Sequence, residues 1–448
     1  MYRSALREAV APSLARAAAL ESPYGLISRA AELPLAPGEP AYSIWTGLLG
    51  DLSQSLASQR TWNHRAESGN IDGAGGAIDP ELARHIALVE SLERYSSCAW
   101  TDSELIWDTA AGLGDAAIGP ERWPACSEAE LADPHCGLIP SDRRLPLRWV
   151  RGWSLTRGRE VYVPALLVYL NFPIRTPAER FTNPVSTGTA AHSDLRAAVL
   201  GGLLEVIERD SIALTWLQRL RLPEVAVDPG ALDETTAEYH RMGTSTGLEA
   251  RLFDATTDYG VPTLYAVQTS EADAELAQVV AATCDLDPHR ALAKIYRELA
   301  SLRIALRSHA RSPRFEEVKG ADLTVVGGAL ADADPSMRHI FDFLLSGPRP
   351  IHALDGIGAL RHGPDDLEQV VASLERAGAE AIVVDLTTDE ARQVGMRVIK
   401  ALIPEAMPLS FSHYARYLAT PRLYEAPLAM GLTAHDESGI NPVQQPFA

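Results

Sequence analysis

A chain of 448 residues, 46% hydrophobic and 22% charged, has the apolar content to bury a large core, which excludes a mostly disordered protein. Its formal net charge of −19 argues against nucleic acid as the main partner, because holding a phosphate backbone depends on Lys and Arg; a phosphate ligand met through metal ions stays open. The four cysteines (Cys98, Cys126, Cys136, Cys284) form no C-x-x-C pair, and no run of about 18 apolar residues exists. Neither a structural zinc site nor a membrane span is therefore expected, and the thiols read as those of a reduced cytoplasm.

Residues 1–65 read as an Ala-rich amphipathic helix, a segment punctuated by Pro34, Pro37 and Pro40, and a second helical or mixed stretch around Tyr42–Leu56. This part is expected to be a lid or docking segment, apart from a main domain over 66–448. Gly69–Ile78 reads as a loop of small residues. Pro80 suits the first turn of a helix that runs to about Cys98. Residues 108–146, rich in Gly, Pro and Asp, read as a surface excursion. Trp149–Leu170 gives two strands that turn at Arg157-Gly158. A second small-residue loop, Ser186–Ala191, precedes a helix that Ser193 or Asp194 is placed to cap. On it Leu195, Val199, Leu200, Leu203, Leu204 and Ile207 recur at helical spacing. Strands follow at Ala250–Phe253, Pro262–Gln268 and Val279–Cys284, then a helix from Asp287-Pro288 to about Leu306. Strands at Ala381–Asp385 and Gly395–Ile403 and an extended tail over 435–448 complete a mixed α/β (α+β) chain. Asp385–Asp389 falls at a strand end, where α/β proteins tend to hold ligands.

Two of the helices carry the same pattern. The first has Glu90, Glu93 and Arg94; the second has Glu205, Glu208 and Arg209. Residues three and four apart share a helix face. Taken singly, E-x-x-E-R reads best as a surface ion pair worth about 0.3–0.5 kcal/mol. Its repetition in a similar apolar frame, each time after a small-residue run that suits phosphate at a helix start, changes that weighing. Two acids on one face repel unless a cation lies between them. Arginine is one answer, and Mg2+ is another, since it takes carboxylate oxygens and leaves sites for phosphate.

In this order the motifs resemble the YcaO superfamily, ATP-using enzymes that modify backbone amides of peptides, over about Gly69–Ala448. The W-x-x-G-x-S-L and V-P-A runs within 149–170 and the D-L-T-x-x-D segment at Asp385 are similar to family segments. The tail from Gly439 to Ala448 is similar to the ends of azoline-forming members. The resemblance implies a YcaO-like fold with internally repeated loop–helix units around a nucleotide site. It implies that Glu90, Glu93, Glu205, Glu208 and Glu298 hold Mg2+ and that Arg94 and Arg209 orient acids or phosphate. Gly75, Gly76, Ser186, Thr187, Gly188, Ser301 and Arg303 would lie at the ATP, with Pro446 and Ala448 brought into the active site by the tail.

The activity implied is cyclodehydration of Cys, Ser or Thr in a ribosomally made precursor peptide to thiazoline or oxazoline. Related alternatives are thioamide formation with sulfide and macrocyclic amidine formation with an amine. Implied partners are the peptide, a leader-peptide-binding protein of the ubiquitin-activating-enzyme-like or ThiF-like kind, a flavin dehydrogenase and a second copy of the chain. The chain departs from the family pattern at Gly75-Gly76-Ala77, where Gly-Lys-Gly is usual, and at Ala87 and Gly202, where the first residue of S-x-x-E is serine. It departs again at Ser301, where glutamine is usual, and at Gln444-Gln445 in the tail. These losses support a rival reading, a non-catalytic scaffold that presents substrate to a partner.

Overall fold

The computed structural model describes residues 6–60, 71–310 and 325–447, organised around three small sheets. The first is antiparallel: β1 (Arg29–Glu32), β2 (Ser43–Leu48) and β3 (Gly73–Ala77). The stretch expected to be helical or mixed around Tyr42 is thus mainly a strand. Its Ile44, Trp45 and Thr46 are β-branched or aromatic and fit a pleated surface, with Trp45 opposite Gly75. The first 65 residues therefore supply two strands of the sheet that the small-residue run completes. That run is itself extended from Gly73, while Gly69 and Asn70 lie outside the described residues.

The second sheet combines β4 (Ile106–Thr109), β5 (Pro146–Ser154), β6 (Arg159–Pro164), β7 (Thr189–His192), β13 (Ile382–Asp385) and β14 (Arg397–Leu402). The β5–β6 hairpin turns through Gly158, at φ 61°. The third sheet runs β11 (Gln278–Cys284), β10 (Thr263–Thr269), β9 (Glu249–Asp254), β8 (Glu224–Ala226) and β12 (Ile351–Ala353). Only the β8–β12 pair is parallel among the described strands. Strand β13 is paired antiparallel on both sides, so the expectation drawn from parallel α/β sheets does not carry over to its end, where Thr388 caps the short Asp389–Gln393 helix and Thr387 is buried. The 108–146 excursion folds back onto the domain, burying Ile118, Trp123, Cys126 and Cys136. Its Glu130 accepts the backbone N–H groups of Arg416 and Leu418.

Three long helices tie the sheets together: α1 (Pro80–Cys98), α2 (Leu195–Leu217) and α3 (Pro288–Ala310). An aspartate stands before each. Asp79 accepts from the N–H groups of Glu81 and Leu82, Asp194 from Ala197 and Asp287 from His289. These are N-caps that satisfy orphan donors of the first turn. Each helix then places a glutamate ten residues after its first residue: Pro80 to Glu90, Leu195 to Glu205, Pro288 to Glu298. The packing is cyclic. Helix α1 covers β3 and touches β7, α2 covers β7 and β14 and touches β11, and α3 covers β11 and touches β3.

Close backbone approach sets the small residues of these units. A Cβ on Gly75 would lie 2.2 Å from the Ala83 carbonyl oxygen, and one on Gly202 would lie 2.7 Å from the Gly188 oxygen. Ala87, whose amide nitrogen would be 2.4 Å from that Gly75 Cβ, is fully buried at the same contact. Ala87 and Gly202 thus stand at close backbone contacts of their units. Among the described residues, no helix is long and apolar enough to cross a membrane.

Adjacent glycines on α2 give opposite outcomes. Gly201 is exposed and a Cβ there meets only Ala190 at 3.8 Å, so Gly201→Ala is expected to stabilise by about 0.5–1 kcal/mol through helix propensity. Gly202→Ala is expected to destabilise by about 1–3 kcal/mol through overpacking. Urea unfolding midpoints of the two variants check both signs.

Candidate active site

A cavity of about 550 Å³ opens where α1, α2 and α3 meet, and the five glutamates Glu90, Glu93, Glu205, Glu208 and Glu298 all line it. Four of them borrow backbone amides from neighbouring strands and loops. Glu90 accepts from Ala74 N at 3.0 Å and Glu205 from Gly188 N at 2.9 Å. Glu93 accepts from Ala191 N at 2.6 Å, on the strand of the second unit, and Glu208 from Cys284 N at 3.0 Å, on the strand of the third. The first glutamate of each pair therefore holds its own small-residue run, and the second holds the next unit.

The charges are imperfectly matched. Arg94 contacts Glu90 at 2.9 Å, and Arg209 lies 3.3 Å from Glu208 and 3.7 Å from Glu205. Lys294 is 3.4 Å from Glu208, and Arg297 is 3.3 Å from Glu298. Burial, together with the Glu90 charge, pushes Glu93 well above the usual carboxylate range despite its amide donor. Burial works against the charge on Arg94, but Glu90 and Glu205 outweigh it and raise the guanidinium further. Glu208 likewise holds Lys294 above its ordinary value.

The chemistry of the donor set fits Mg2+: the acids lining the cavity offer hard carboxylate oxygens, and Glu93 is short of positive charge. Among the described residues no group of three or more acid, His or Cys side chains is placed to hold a metal ion by itself. An Mg2+ ion that keeps water and takes one or two protein carboxylates plus phosphate oxygens needs no such group, and Glu90, Glu93, Glu205, Glu208 and Glu298 are the carboxylates that would supply it.

The structure gathers most of the residues singled out in the sequence and separates others. Ser186, Arg94 and Arg209 line the cavity. Thr187 faces an adjoining pocket of about 70 Å³ that shares Arg209. Gly188, at φ 87°, contributes its N–H to Glu205 and is left-handed, which suits glycine. Gly75 lies under α1 and Gly76 under the stem of Arg297, so neither is an open phosphate loop. Ser301 does not line the cavity. Arg303 is a correction: it is buried and committed to Glu39 at 2.8 Å and Asp273 at 2.6 Å, outside the cavity lining. Pro446 is buried beside Phe447, which lines the cavity and meets Tyr265 edge-on at 5.4 Å; Ala448 lies outside the described residues.

Three cations escaped sequence reasoning. Lys294 precedes Glu298 by four residues, a same-face spacing that was available as a signal. Arg297 and Lys400 carried none, because their approach is set by tertiary packing. Lys400 on β14 is 1% exposed, lines the pocket next to Arg209 and donates to the Val185 carbonyl at 2.6 Å. Burial, with Arg94 adding to it and Glu205 opposing it, lowers this ammonium to about 7.

The chain belongs to the YcaO family: the family profile described as YcaO cyclodehydratase, ATP- and Mg2+-binding, matches residues 74–407. It is 28% identical over 352 residues to an uncharacterized protein of Methanothermobacter thermautotrophicus, covering 76% of this chain and 82% of that one. A heterocyclase in complex with substrate and cofactor superposes with a TM-score of 0.78 at 24% identity, covering 97% of this chain. The chain spans only 57% of that heterocyclase. The YcaO protein of Methanopyrus kandleri, bound with AMPPCP and Mg2+, matches with a TM-score of 0.57 at 19% identity, covering 85% and 86% of the two chains.

Two titrations follow from these surroundings. The raised carboxyl of Glu93 binds its proton more tightly folded than unfolded, so its contribution to stability is present at low pH and lost as pH rises. Glu93→Gln without nucleotide or metal is expected to melt higher than the parent at neutral pH, with the gap closing on acidification. Lys400 has the opposite sign. Between roughly pH 7 and 10 the unfolded chain binds more protons, so its contribution to stability rises with pH by about 1.4 kcal/mol per unit. The advantage of Lys400→Met over the parent is therefore expected to be largest below about pH 7 and to shrink above it, as read by denaturant unfolding across pH.

Proposed function

We propose that the chain is an ATP- and Mg2+-dependent cyclodehydratase that converts Cys, Ser or Thr of a ribosomal precursor peptide to an azoline. The observation that carries this reading is the convergence of five glutamates, from equivalent positions on three helices, on one cavity. In the proposed reaction a peptide side chain adds to the preceding amide carbonyl, the amide oxygen takes a phosphoryl group from ATP, and phosphate departs, for a net loss of water. Bound Mg2+ would supply neutralisation of phosphate charge. Arg94 and Arg209 fix the acids on their own helices, and Lys294 brings a positive charge to the third wall. Phe447 brings the tail to the cavity wall. A leader-peptide-binding partner and a homodimer remain parts of this proposal, and the resemblance is what supports them.

A second reading, a scaffold without catalysis, is favoured by the absent loop lysine and by Ser301 in place of glutamine. The retained acids weigh against it, because buried acids are costly without a counter-charge. Calorimetric titration with ATP decides between the two. Mg2+-dependent micromolar binding that disappears in Glu205→Gln/Glu208→Gln is expected. Absence of ATP binding by the parent chain, with Mg2+ present, favours the scaffold.

A further inference from the structure

Any triphosphate entering this acidic cavity must meet cations there. Four line it: Arg94, Arg209, Lys294 and Arg297. The first three are engaged by the paired glutamates of α1 and α2, at 2.9, 3.3 and 3.4 Å. Arg297 differs in its partner and route. Like Lys294 it comes from α3, but its charge partner is the adjacent Glu298 at 3.3 Å rather than a glutamate of α1 or α2.

Its stem crosses β3. A Cβ on Gly76 would lie 2.8 Å from the Arg297 Cγ and 3.2 Å from its Cδ. Gly76 thus lacks a side chain where Arg297 passes, and the guanidinium reaches the cavity wall through that gap. The cyclic order makes the position distinctive. Helix α1 is tied to β7 by the acid Glu93, and α2 to β11 by the acid Glu208. Helix α3 meets β3 through a cation.

We propose that Arg297 is a phosphate-binding residue of this site, admitted by the groove over Gly76, and that it supplies from α3 the positive charge that Gly75-Gly76-Ala77 does not. This rests on the ATP reading above. A guanidinium suits the role, since its planar fork matches phosphate oxygens in pairs. The neighbouring Glu298 holds the side chain in place until phosphate competes for it.

The test is calorimetry with Mg-ATP and with AMP on the parent chain, Arg297→Ala, Arg297→Lys and the double variant Gly76→Lys/Arg297→Ala, with thermal melts as a folding check. Arg297→Ala is expected to weaken Mg-ATP roughly 10- to 100-fold and leave AMP unchanged, with Arg297→Lys in between. The double variant is expected to recover binding, because removing the arginine stem leaves only the end of the Ile44 side chain, with Cδ1 at 2.8 Å, for a lysine Cβ at position 76 to displace. Parent-like Mg-ATP affinity in Arg297→Ala overturns the assignment, as does an equal loss of AMP. A double variant no better than Arg297→Ala overturns the shared groove. A parent chain that binds no Mg-ATP defeats the underlying reading itself, before any variant is compared.

Discussion

Five carboxylates share one cavity, and the structure around them is arranged to tolerate that repulsion. Arginine alone does not resolve it, since Glu93 remains well above the usual carboxylate range. The remainder comes from backbone N–H groups, which carry partial positive charge and cannot be lost by titration. Each is delivered by a strand or loop that packs against a helix, so the electrostatics of the site depend on the packing of the fold. Ala74, Gly188, Ala191 and Cys284 serve by their main chains, and at Gly188 the left-handed backbone and the nearby Ala401 carbonyl also require glycine. The same arrangement makes the sheets mutually dependent. The carboxylate of Glu93 is also a tether between the first unit and the second, and that of Glu208 a tether between the second and the third.

Close packing accounts for one departure from the family pattern. Gly202 stands where serine is usual, and a Cβ there would already lie 2.7 Å from the Gly188 oxygen and 2.9 Å from the Ala401 Cβ. The glycines of β3 likewise reflect the nearness of α1 on one face and of Arg297 on the other. Small residues before a helix do not by themselves mean a flexible phosphate loop. Here they mean a strand pressed between two neighbours.

Much of this was legible in the sequence, for reasons that differ by element. The pairs Glu90/Glu93 and Glu205/Glu208 were visible because helical spacing places them on one face, and the apolar frame of α2 marked its buried side. The helix starts were visible because Asp79-Pro80 and Asp287-Pro288 are strong local signals. Strand β2 was missed because six residues of mixed polarity carry too little periodicity, and only pairing with β1 and β3 makes them extended. The antiparallel order of the sheets was hidden too, since a rhythm of strands and helices does not specify which strands pair. Arg303 was misassigned because spacing along α3 records proximity to Glu298 but not the competing pull of Glu39 and Asp273. Lys400 and Arg297 belong to the same class: their chemistry is set by what the fold brings against them.

The balance of charge also bears on how the protein responds to ligand. A cavity holding more acid than its cations can match stores an electrostatic cost in the folded state, and any ligand that brings positive charge to the acids relieves it. Binding that occurs only to the folded chain stabilises it by mass action, growing with the logarithm of ligand concentration over its dissociation constant. A nucleotide without a cation would add negative charge to the acids and meet only the guanidinium and ammonium groups of the walls. A metal ion without nucleotide would find carboxylates already turned toward amides. Each partner removes the obstacle to the other, so the geometry favours joint over separate occupancy. The raised carboxyl of Glu93 is the part of that cost which the amides and arginines around it leave unmatched.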